Sequence, residues 1–114
     1  IIKYEADLMV DMARTLIIPA GLNYQADLSD TIKSAESINK TKSTSARKLL
    51  KEVSANVEAA IAGADALEKV AAGSSTVKTR AAMNKLRTAG DTLEGLVPAE
   101  SWPLPSYAEM LFIS

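Results

Sequence analysis

The chain has 114 residues, a net charge of −1 and a composition that is 47% apolar but only 4% aromatic. It has neither Cys nor His, which excludes a disulfide framework, thiolate and imidazole metal sites and the common nucleophile–histidine pairs, leaving carboxylates and lysines as the main groups for proton transfer. The near-neutral charge gives no drive toward nucleic acid or an anionic membrane.

Much of the apolar content is Ala, the best helix former, while the β-branched and aromatic residues that strands need are sparse. The pattern predicts one all-α domain over residues 1–114: an antiparallel bundle of three long helical segments, with a short C-terminal helical turn. The chain opens on Ile1-Ile2-Lys3-Tyr4 with no Met and no capping residue, as if a helix were already under way, and this predicts a fragment of a longer protein.

The first segment covers residues 1–38. Met9, Met12, Leu16, Leu22, Ala26, Leu28, Ile32 and Ala35 recur at three- and four-residue steps and are its expected inner face. Pro19 lies inside it, removing a backbone hydrogen bond and crowding the preceding turn. The helix either kinks there and continues or breaks at Ile18-Pro19-Ala20-Gly21. The kink is the expected outcome, because the period resumes at once. Asp7 and Asp11 share a face at i, i+4 and are the best carboxylate pair for a Mg²⁺ ion or a shared proton. Two carboxylates without further oxygen ligands make a poor cation site, so a solvated acidic face partly paired to Arg14 is expected instead.

Asn39-Lys40-Thr41-Lys42-Ser43-Thr44-Ser45 is a polar linker in which Ser43, Thr44 or Ser45 caps the next helix. Lys40, Lys42, Arg47, Lys48 and Lys51 form a basic run with no aromatic interleaved for base stacking, which points to a solvated face with room for an acidic neighbour on another domain or subunit. A helical hairpin is expected over residues 45–97. Its first arm carries Leu49, Leu50, Val53, Val57, Ala60, Ile61, Ala64, Leu67 and Ala71 at heptad-like spacing, with a small-residue patch at residues 59–64 that lets a neighbour come close. Gly73-Ser74-Ser75 is the expected turn, with Gly73 left-handed and a serine capping the second arm; it lacks the spacing of a phosphate-binding loop. The second arm carries Ala82, Leu86, Ala89, Leu93 and Leu96 in step.

Residues 98–114 change character. Pro98, Pro103 and Pro105 favour extended chain, and Ser106-Tyr107-Ala108-Glu109 has the capping-box form before Met110-Leu111-Phe112, which predicts a final turn from Tyr107 to about Phe112. This strap holds the single Trp and the single Phe. Trp102, Leu104, Tyr107, Met110, Leu111 and Phe112 are the expected docking residues, and no catalytic, cofactor-binding or metal-binding residue is assigned.

The run Trp-Pro-Leu-Pro-Ser-Tyr-Ala-Glu-Met-Leu-Phe at residues 102–112 resembles the C-terminal end of type III glutamine synthetases, which tend to finish with Trp-Pro-x-Pro-Thr/Ser-Tyr-x-Glu/Asp-x-Leu-Phe. The opening is similar too: Glu5-Ala6, Asp11-Met12-Ala13-Arg14, Ile17-Ile18-Pro19-Ala20 and Tyr24-Gln25 follow the family's helix around an Ile-Leu-Pro-Ala step, with Ile18 in place of Leu and Gly21 less helix-friendly than the family leads one to expect. The resemblance implies a parent enzyme that joins glutamate and ammonia using ATP and Mg²⁺, with its substrate, nucleotide and metal residues upstream of this chain. The chain would then be a non-catalytic C-terminal helical domain holding no cofactor. Its implied partners are its own catalytic domain and the neighbouring subunits of a homo-oligomer of two stacked hexameric rings, with no nucleic acid and no membrane. The cytoplasm is the expected location. The alternative from the residues alone is a helical protein–protein interaction module of a signalling or scaffold protein, self-associating through the Ala-rich seam of the second segment. An autonomous enzyme using Asp7 and Asp11 is a third reading.

Overall fold

A computed structural model describes residues 2–104. The described residues are helical with no strand: α1 (Ile2–Met12), a π-helical turn (Ala13–Ile17), α2 (Ile18–Asn39), α3 (Thr44–Ala71), α4 (Thr76–Leu96) and a 3₁₀ turn (Ala99–Ser101). The first three pieces form one long kinked helix, so the arrangement is three helical segments and a short closing turn, as the sequence predicts. The chain kinks and continues through Pro19. Proline has no N–H for the carbonyl four residues back, and its ring crowds that carbonyl. The turn just before it is widened: the Ile18 N–H reaches back five residues to the Ala13 carbonyl, and the Thr15 hydroxyl donates to the Asp11 carbonyl at 2.7 Å.

α3 is the central element, packed on α1, α2 and α4. Its heptad-spaced residues Val53, Val57, Ala60, Ala64, Leu67 and Ala71 are all buried, as expected, and meet Leu86, Ala89 and Leu93 of α4. Full burial of Leu67 and Leu93 contributes about 1.5–3 kcal/mol each. Of the residues expected in the second arm, Leu86, Ala89 and Leu93 are buried and Ala82 and Leu96 half-buried; Met83 and Thr79 are buried too, the Thr79 hydroxyl donating to the Ser75 carbonyl at 2.8 Å.

Three local expectations are corrected. In the first segment the inner face is Ala6, Val10, Ala13, Ile18, Ala20, Gly21 and Ile32; of the residues expected there Ile32 is buried, Met9, Met12, Leu28 and Ala35 are half-buried, and Leu16, Leu22 and Ala26 are exposed. Small residues occupy this face because the helix lies close on α3. No described glycine has a positive φ; Gly73 sits in a turn where its N–H donates to the Val70 carbonyl at 3.0 Å, and the left-handed residue is Lys40, with φ 56° at the end of α2. At the start of α3 the Ser43 side chain makes no cap bond; α4 is capped as expected, the Ser75 hydroxyl accepting from the Lys78 N–H at 3.2 Å. The final turn expected at residues 107–112 lies outside the described residues.

The two interfacial glycines differ in kind. A Cβ at Gly21 would lie 2.7 Å from Cγ2 of the buried Val57, a branched methyl with nowhere to turn. A Cβ at Gly63 would meet Leu86 at ordinary contact distances of 3.4–3.6 Å. Gly21→Ala therefore destabilises the chain by about 1–3 kcal/mol through overpacking, while Gly63→Ala stabilises it by about 0.5–1 kcal/mol through helix propensity. Urea unfolding of the two variants measures this, and equal stabilities would refute the close approach at Gly21.

Candidate functional site

An apolar cleft of about 430 Å³ lies between α1 and α4. The spacing of the helices creates it. α1 turns its small residues toward α3, and its larger ones, Leu8, Met9 and Met12, face sideways into the gap, joined by Ile17 from the π turn. α4 contributes Met83, Leu86 and Gly90 to the opposite wall. Beyond α4, Val97 is buried and the backbone turns extended before Pro98; the 3₁₀ turn then brings Trp102 and Leu104 back over one end of the cleft. Trp102 is half-buried against the core. Glu5, Arg87, Asp91 and Glu94 complete the lining.

Two of the six expected docking residues, Trp102 and Leu104, thus line one cleft together. Tyr107, Met110, Leu111 and Phe112 lie outside the described residues. The other wall of the cleft was not foreseen as a site. The helical period places Met9, Met12 and Leu86 on inner faces and leaves Leu8 unmarked. The available signal was a second apolar stripe on α1, one residue off the Ala6–Val10–Ala13 face.

The charged candidates serve packing between helices. Arg14 leaves Asp7 and Asp11 and reaches across to α3, donating to Glu68 at 2.8 and 3.1 Å and to Asp65 at 2.8 Å. These bonds raise the Arg14 pKa further above its ordinary value and hold the Glu68 carboxyl below its own. Asp7 and Asp11 are exposed, and no cluster of three acidic side chains that could hold a metal ion occurs among the described residues. In the basic run, Arg47 finds its acidic neighbour within the chain. Its guanidinium forms a two-pronged pair with Glu36 of α2, whose carboxylate also accepts the Ser43 N–H at 2.9 Å. Lys42, Lys48 and Lys51 are exposed. Of the small-residue patch at residues 59–64, Ala60 and Ala64 are fully buried within the chain, whereas Ala59 and Ala62 are exposed.

The described residues thus form an all-helical protein whose candidate site is an apolar contact cleft. No family model matches the chain, and no solved structure matches it. Among curated proteins it is similar to the type-3 glutamine synthetase of Dictyostelium discoideum, with 28% identity over 129 residues. That alignment takes in 98% of this chain and 18% of that enzyme's length, so the chain spans well under two thirds of the relative it matches.

The Glu36 clasp gives a pH signature. Arg47 first, and then the Ser43 N–H, hold the Glu36 carboxyl at about 2, against 4.5 for a free glutamate. A carboxyl with a depressed folded-state pKa stabilises fully above its unfolded value and loses that contribution as pH falls through its folded value. Wild type is therefore more stable than Glu36→Gln at neutral pH, and the gap closes between about pH 4.5 and pH 2. Thermal melts of both proteins across that range measure the difference. A gap that stays constant with pH would remove the clasp.

Proposed function

We propose that this chain is the non-catalytic C-terminal helical domain of a type-3 glutamine synthetase, an ATP-dependent glutamate–ammonia ligase, and that it stabilises the parent fold or its oligomer. The observation that carries the proposal is the similarity running across 98% of the chain to an enzyme so named. It is supported by the order of the two sequence motifs, one around Pro19 and one from Trp102 onward. In this reading ATP and Mg²⁺ bind elsewhere in the parent, in the cytoplasm, and the partners of this domain are its own catalytic domain and neighbouring subunits. The Trp102 cleft supplies an apolar surface for that contact. In the alternative, an interaction module that self-associates through the Ala-rich segment, Ala60 and Ala64 would take no part, because both are buried within the chain.

The test is made on the full-length enzyme. Trp102→Ala is expected to lower its thermal inactivation midpoint and shift its assembly state in sedimentation, leaving KM for glutamate and ATP unchanged. Normal assembly and heat resistance in that variant, and in one lacking residues 1–114 altogether, would overturn the stabilising role.

A further inference from the structure

We propose that the α1–α4 cleft receives a basic amphipathic helix from another polypeptide, its apolar face on the methionine-rich floor and its Lys or Arg side chains at the Asp91–Glu94 end. The inference rests on the reading of the cleft as a contact surface and not on the identity of the parent enzyme. The walls run from Glu5 to Ile17 on one side and from Met83 to Glu94 on the other. At 1.5 Å per residue each wall is about 16–18 Å long, or about three helical turns. An apolar trough of that length between two helices suits the side-chain row of a third. Leu8, exposed to 48%, and three methionines, Met9, Met12 and Met83, give the trough an apolar lining that can repack around a guest.

Charge selects the guest. At one end Glu5 lies with Arg80 and Arg87 around a smaller adjoining cleft, so the signs there offset one another. At the other end they do not. From Thr88 to Leu104 the chain carries Asp91, Glu94 and Glu100 and no Lys or Arg. None of the three forms an ion pair among the described residues, where the pairs are those of Arg14 and Arg47. Trp102 lines the same cleft, so a guest that fills it meets the indole as well as the carboxylates.

Trp102 is also the single Trp of the chain and reports on the cleft directly. The probe is an amphipathic Leu/Lys peptide of about 16 residues without aromatics, long enough to form a helix on binding. Its Leu/Glu counterpart is the control, and both are titrated into the 114-residue chain. The Lys peptide is expected to shift Trp102 emission to the blue, saturably and less tightly at high salt, with the Glu peptide weaker by about tenfold or more. The double variant Asp91→Asn/Glu94→Gln, with its fold checked by circular dichroism, is expected to lose that preference. Equal binding of both peptides, binding of neither, or a preference that survives the double variant would overturn the proposal. Two further outcomes reassign the cleft and also overturn it. A blue shift that grows with the concentration of the chain alone gives the cleft to a second copy. A Lys peptide that binds only after residues 105–114 are deleted gives it to the chain's own C-terminal residues. None of these measurements involves the enzyme, so their failure is separable from failure of the glutamine synthetase reading.

Discussion

The first helix lies so close to α3 that at Gly21 a single added carbon would stand 2.7 Å from Val57. Much of the remaining architecture follows from that spacing. At its closest points such a helix presents small side chains, and Ala6, Ala13, Ala20 and Gly21 fill the role, with Val10, Ile18 and Ile32 buried between them. Several larger apolar residues leave the interface. Leu16 and Leu22 go toward solvent, while Met9 and Met12 turn into the gap beside α4. The cleft is thus a consequence of tight packing one face away: the same helix that lies flush on α3 cannot also close fully on α4. Trp102, returning after Pro98, lies over one end of that gap and recovers part of the missing burial.

The widened turn at Ala13–Ile17 is the second condition for this arrangement. It accommodates Pro19 without ending the helix, so one segment spans both α1 and α2 along α3. It also carries Arg14, whose guanidinium bridges to Asp65 and Glu68 of α3. The Glu36–Arg47 clasp does the same where α2 passes into α3. These partners are largely exposed, and exposed ion pairs add little stability on average. Their contribution is better read as fixing register: each joins two helices at one place, and the pair would be lost if either helix slid.

The heptad of α3 was legible because that helix has neighbours on several sides and its buried positions include the large apolar ones, Val53, Val57 and Leu67, which stand out from the Ala background. The first segment misled because the same rule, large apolar residues inward, fails at a close contact. There the informative residues were the small ones, and Gly21, which read as a departure from good helix chemistry, marks the closest approach. Left-handed geometry was assigned to Gly73 on residue type, yet it falls on Lys40, where the N–H reaches the Glu36 carbonyl and the neighbouring clasp holds the chain in place. Of the candidate site, Trp102 and Leu104 were legible from composition. The opposing wall was not, because its residues become a surface only once three helices are placed together.

The distribution of perturbed ionisable groups bears on what the cleft can do. Strongly shifted side chains in a cleft are the usual mark of proton-transfer chemistry. Among the described residues the shifted groups are Arg14, Glu36, Arg47 and Glu68, each held by a partner on another helix and none lining the cleft. The electrostatics that are tuned therefore serve the contacts between helices. What the cleft offers is apolar area, the Trp102 indole and the Asp91 and Glu94 carboxylates, and those are the properties by which one surface selects another.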